Sequence, residues 1–200
     1  TQTGKESKRV NGLYQPDTHE ILLHNKNFKT DNQLIYTAVH EYTHHLNAEE
    51  LIKTTGNTAT PYNAKVHNQA FWARFNTLIT IAEEKGYYGI GIDQSPELTE
   101  LTEKIKKEYL EANGKLMQEF GKLLAQAHKL CEEANIRYED YIDRVLCLPR
   151  STAKDIRKVS SVEINPAIGF DNMKVVASIR KKDERTEVEN EFLNGKGPVS

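Results

Sequence analysis

His40-Glu41-Tyr42-Thr43-His44 is the stretch of this chain whose residue types and spacing carry the most chemistry. It reads H-E-x-x-H and lies inside DNQLIYTAVHEYTHHLNAEELI, a run with helical spacing. Side chains four apart share a helix face, so His40 and His44 can aim their imidazoles at one point. Such a pair suits zinc, which in catalytic sites takes three protein ligands and keeps one position for water. Glu41 is placed to act as general base toward a zinc-polarised water without ligating the metal. The plain alternative is an accidental match on a surface helix, in a chain with seven histidines. Leu34, Ile35, Ala38, Val39, Tyr42 and Leu46 argue against it, because their pattern predicts a buried helix. Buried histidine and glutamate need a partner, and a metal supplies one.

A third ligand has to come from elsewhere, and His67 is the best candidate. It opens H-N-x-x-F-W, 23 residues beyond His44, and Phe71-Trp72 one turn on gives it a reason to face inward. Glu50 competes: in H-E-x-x-H-x-x-G-x-x-H the third ligand falls at that position, with Asn47 in the glycine slot. Asn can adopt the left-handed turn required, but Asn47 to Ile52 continues the helical pattern and would carry Glu50 away. Glu83 or Glu84 of the next helix is a further alternative. His45 is rotated off the His44 face and is read as a residue behind the site or an exposed one. His19 and His24 are read as strand-end surface residues, because a strand points them to opposite faces. Peptide hydrolysis would also need a donor to the developing oxyanion. Tyr62, in the loop before His67, is the candidate, with Tyr42 as a second and simple ring packing as the alternative.

These residues need elements to hold them. Val10 to His24 reads as a hairpin, with turns marked by Gly12 and Pro16-Asp17. Thr30 with Gln33 makes a capping box that opens the motif helix, which runs to about residue 52. KTTGNTATPYN is a loop, and a second helix spans about Ala64 to Lys85, closed by Gly86. Ser95-Pro96-Glu97 starts a helical stretch reaching Ala134, either one helix or two broken near Asn113-Gly114. Its spacing approaches a heptad in places, which suits a helical hairpin or packing along a partner chain. Tyr138 to Leu146, a turn at Cys147-Leu148-Pro149, and a helix capped by Ser151 give a helix-turn-helix outline over 138–160. Arg150, Lys154, Arg157 and Lys158 form a basic stripe there that could contact phosphate. Glu139, Asp140, Asp143 and Asp155 leave little local excess of charge, so a solvated face is the favoured reading.

Composition sets the limits around this. The chain has 200 residues, 38% hydrophobic and 28% charged, with a net charge of −2. That size suits one domain with a helical appendage, and the charge marks neither a nucleic-acid coat nor an acidic disordered tail. Cys131 and Cys147 have no metal-binding spacing and read as lone apolar positions in a reducing compartment. No long apolar run occurs, so we expect a soluble, cytoplasmic protein with no membrane contact. Residues 1–9 read as a disordered or expression-derived start, and 181–200 as a charged tail of frayed helix and disorder.

A helix-borne H-E-x-x-H followed after a short loop by H-x-x-x-F-W resembles the SprT-like and YgjP-like zinc metallopeptidases, a compact zincin group. The resemblance covers about residues 10–90. It implies a small sheet packed on two helices, with His40, His44 and His67 on Zn2+ and Glu41 as catalytic base. Asn68 and Tyr42 depart from the family pattern, which bears on substrate preference more than on metal. The expectation is therefore an α+β fold: a zincin-like core over 10–92 and an all-helical extension over 95–180. The expected activity is zinc-dependent hydrolysis of a protein or peptide substrate. The rival is a DNA-binding regulator with a structural zinc; between them stands a peptidase brought to DNA-bound proteins by its C-terminal helices, as the SprT-like resemblance suggests. Oligomeric state is left open.

Overall fold

In the computed structural model, which describes residues 1, 4–56, 66–195 and 197, the hairpin forms as β1 (Gly12–Gln15) and β2 (Glu20–Leu23). The strands pair antiparallel, Gly12 opposite Leu23 and Gln15 opposite Glu20. Pro16 to His19 make the turn, so His19 is not on a strand; its φ of 54° lies in the left-handed region. Gly12 is the first residue of β1 rather than a turn residue, and it is there for closeness. A Cβ at Gly12 would meet Thr37 Cγ2 at 2.8 Å and Glu41 Cγ at 2.9 Å, both on the helix beneath. The polar opening is also partly fixed: the Ser7 N–H donates to Asn27 Oδ1 at 2.9 Å, and Asn27 Nδ2 donates back to the Ser7 carbonyl at 2.7 Å.

That helix, α1 (Asp31–Thr55), starts at Thr30, whose hydroxyl accepts from the Gln33 N–H at 3.3 Å. Gln33 answers by accepting from the Lys29 N–H at 2.8 Å, one residue earlier than a standard capping box. Gly56, at φ 66°, closes α1 three residues later than expected. Leu34, Ile35, Ala38, Val39 and Leu46 are only half-buried, short of the burial their pattern predicts, and Tyr42 is exposed; the buried positions of α1 are Glu41 and Thr43. The next helix, α2 (Gln69–Glu84), is capped by Asn68, whose side chain accepts from the Phe71 N–H at 2.9 Å. Asn is a strong N-cap, so the helix begins there and His67 precedes it rather than sitting in its first turn. The hairpin and α2 both pack on α1, and the unit they make spans Thr1–Gly91.

Ile92–Pro198 is a second, all-helical unit among its described residues. Ser95 caps α3 (Pro96–Ile105), which passes through a π-helical stretch, Lys106–Glu111, into α4 (Ala112–Glu133). There is no break at Asn113-Gly114. Gly114 serves instead for close approach, since a Cβ there would lie 2.6 Å from the Pro166 carbonyl oxygen. Leu116, Leu123 and Leu130, seven residues apart on α4, stay exposed, so the heptad-like stripe is not what holds this unit together. Its core lies on the other face, where Leu124 meets Ile142, Ala153 and Ile156.

Short α5 (Tyr138–Asp140) runs on as a π turn to Val145 and is followed by α6 (Arg150–Ser160). Pro149, not Ser151, stands at the start of α6, with no side-chain cap. α7 (Phe170–Ser178) and α8 (Lys182–Leu193) complete the unit, and Val188 and Phe192 of α8 pack on a core built from Val159, Met173 and Val176. The stretch read as a charged tail thus contributes a packed helix. Cys131 is buried and Cys147 exposed, and both are free thiols. Among the described residues no helix is long and apolar enough to cross a membrane. The described residues are mostly helical with one small antiparallel sheet, α+β in the broad sense.

Candidate metal centre

One turn of α1 separates His40 from His44, and their ring centroids lie 5.0 Å apart. His67, just ahead of the Asn68 cap, reaches back between them. Its Nε2 stands 3.1 Å from His44 Nε2 and 3.0 Å from His40 Nε2. All three rings rest on the fully buried Phe71, at centroid distances of 5.0, 4.5 and 4.8 Å for His40, His44 and His67. Trp72 stacks beside His67 at 5.8 Å. The Phe71-Trp72 pair therefore does what the sequence suggested and gives His67 an aromatic seat, although His67 itself remains exposed.

Three imidazole nitrogens this close are a poor hydrogen-bonding set, because a neutral imidazole has one N–H and one lone pair. The same set is well suited to a dication, which accepts all three lone pairs. Tetrahedral zinc with Zn–N bonds of about 2.0–2.1 Å would space such nitrogens roughly 3.3 Å apart, a few tenths more than here. The donors present fit zinc in number, type and spacing.

Glu41 is buried, at 8% exposure, and its carboxylate accepts a hydrogen bond from the Tyr14 N–H of β1. Burial raises its pKa above the usual carboxylate value, and the Tyr14 bond partly opposes that shift. Glu41 and His44 line one groove of about 780 Å³, together with Leu13 and Tyr14 of β1, Asn47 and Leu51 of α1, and Val66. A carboxylate with a raised pKa and one member of the three-nitrogen donor set, His44, thus line one cleft.

The other ligand candidates separate cleanly. Glu50 is bound to the Arg74 guanidinium, which also holds Asn47, and α1 runs straight through Asn47 without the turn that the longer motif needs. Glu83 and Glu84 are exposed near the far end of α2. His45 turns toward the Tyr14 hydroxyl, 3.1 Å from its Nδ1. His19 stands beside Glu49 and His45, an arrangement with no sequence signal, because only the hairpin turn brings it there. Tyr62 lies outside the described residues.

In the helical unit the basic stripe is not a row of equivalent cations. Arg150 is bound to Asp143, with Nε at 3.1 and 2.9 Å from the two carboxylate oxygens. Arg157 lies over the Tyr138 ring at 5.2 Å. Lys154 and Lys158 face a groove of about 590 Å³, to which α4 adds Lys122 and His128.

The histidine cluster makes the metal-free protein acid-sensitive. Burial, with smaller contributions from His40 and His67, lowers the His44 pKa from the ordinary 6.5 to about 4; His40 shifts the same way through burial and His67. Between about 4 and 6.5 the folded state binds fewer protons at His44 than the unfolded chain, so this stability is full above 6.5 and is lost as pH falls toward 4. Glu41, with its raised pKa, acts in the opposite sense. Comparing His44→Asn with the parent isolates the His44 contribution. The thermal midpoint of the metal-free parent should fall more steeply from pH 7 to pH 5 than that of His44→Asn. Equal slopes would remove His44 as the cause. No protein-family model, curated protein or solved structure matches the chain.

Proposed function

We propose that the Thr1–Gly91 unit is a zinc-dependent peptidase of the SprT-like zincin kind, hydrolysing protein or peptide substrates. The observation that carries this reading is the convergence of His40, His44 and His67 through their Nε2 atoms, with Glu41 lining the groove that His44 faces. The three histidines would hold the ion, and zinc there supplies Lewis acidity toward a water and a carbonyl oxygen. Glu41 takes the proton of the attacking water and passes it to the leaving amine as the carbon–nitrogen bond breaks. Its raised pKa suits both halves of that exchange, since the carboxyl must accept and then release one proton near neutral pH. The Tyr14 N–H keeps the carboxylate aimed, and burial shields it from competing water. The groove beside it has room for several residues of an extended chain and mixes apolar with amide and carboxylate walls.

Glu41→Gln keeps shape and polarity but cannot accept a proton. It should retain metal while turnover of a casein-like substrate falls by about two to four orders of magnitude. Hydrolysis at the parental rate would exclude Glu41 as the base.

A second reading concerns the helical unit, and the observation favouring it is the groove between α4 and α6. Lys122, Lys154, Arg157 and Lys158 line it and have no ion pair among the described residues. These cations would serve binding of phosphate, in a chain whose net charge is −2. Reversing Lys122, Lys154 and Lys158 to glutamate should abolish binding of a short DNA duplex. Any residual binding should have a flatter salt dependence, by about 0.9 in log–log slope for each phosphate no longer neutralised. Parental binding that does not change with salt or with the reversal would leave the groove a solvated surface.

A further inference from the structure

The remaining histidines of the hairpin and α1 are not scattered. His19, His45 and Glu49 each bring one ligand atom within 4.8 Å of the others. His45 and Glu49 are four apart on α1 and share a face, about 100° around the helix from the face carrying His44. The hairpin turn delivers the third member: His19 Nδ1 lies 3.1 Å from Glu49 Oε1, and its ring is 5.8 Å from that of His45. An ion pair between His19 and Glu49 would need only those two groups. Here the His45 ring closes the set, with its orientation fixed by the Tyr14 hydroxyl at 3.1 Å from Nδ1. Support of this kind, a hydrogen-bonding neighbour that sets the ring, commonly accompanies metal-binding histidines.

We infer that His19, His45 and Glu49 form a second divalent-cation site, separate from the three-histidine centre. Two imidazoles and one carboxylate suit a borderline first-row ion, with zinc the natural probe. The side chains of His19 and Glu49 are 51% and 31% exposed, so the ion enters from solvent and water completes its coordination. The His19–Glu49 separation already matches neighbouring ligands on one ion; the widest separation in the set closes by on the order of 1 Å. Such an ion ties the hairpin turn to the second half of α1. It would brace β1, the strand whose Tyr14 N–H holds Glu41.

The test is a count of bound zinc per chain, read by metal analysis after excess zinc is removed. His19→Asn keeps a residue that tolerates the left-handed backbone but loses the imidazole, and Glu49→Gln keeps size while weakening the donor. Each should hold one zinc fewer than the parent. In a His40→Ala/His67→Ala background the parent sequence at His19 and Glu49 should hold one zinc, and adding His19→Asn should remove it. If that background does not fold, the single substitutions in the intact chain still decide the matter. Equal zinc in the parent, His19→Asn and Glu49→Gln would overturn the site. The count needs no substrate, so failure of the peptidase reading would not disturb it.

Discussion

Three imidazoles held with Nε2 atoms 3.0 and 3.1 Å apart are the constraint around which the Thr1–Gly91 unit is arranged. Without an ion the cluster is costly, because its lone pairs crowd one another and burial resists protonation. Two helices are needed to hold it. The α1 helix contributes His40 and His44 through simple periodicity, and the Asn68 cap starts α2 late enough to leave His67 outside helical geometry. Phe71, the first buried residue of α2, then supports all three rings at once.

The hairpin adds the second half of the site. Gly12 lets β1 lie against Thr37 and Glu41 more closely than any other residue would allow, and this proximity lets the Tyr14 N–H reach the Glu41 carboxylate. Tyr14 then points its hydroxyl at His45. One strand residue thus touches the supports of two chemically distinct clusters on α1. Glu41 is one of two buried polar residues among those described, and its backbone donor is what makes that burial tolerable.

Much of this is legible in the residues, and what is not has definite physical causes. His40, Glu41 and His44 follow from helical period alone, and Phe71-Trp72 is a sound reason to choose His67 over Glu50. The hairpin and the Thr30 and Ser95 caps are also readable, since turn and cap chemistry is local. The start of α2 is not, because Asn68 can serve as cap or interior residue and only tertiary packing decides. Gly114 looks like a break but lies against the Pro166 segment, a relation 52 positions apart that composition cannot show. A strand reading of His19 excludes it from any cluster; its left-handed turn conformation reverses where it stands. Tyr42 fits the apolar pattern of α1 yet faces outward, because the sheltered face is set by Glu41 and Thr43.

The most direct measurement is anomalous diffraction at the zinc edge from crystals of the protein loaded with one equivalent of zinc. The account requires a peak within about 2.1 Å of the Nε2 atoms of His40, His44 and His67, with the remaining position open to water. A peak bound by His40 and His44 with Glu50, or with a fourth protein ligand closing the site, would contradict it.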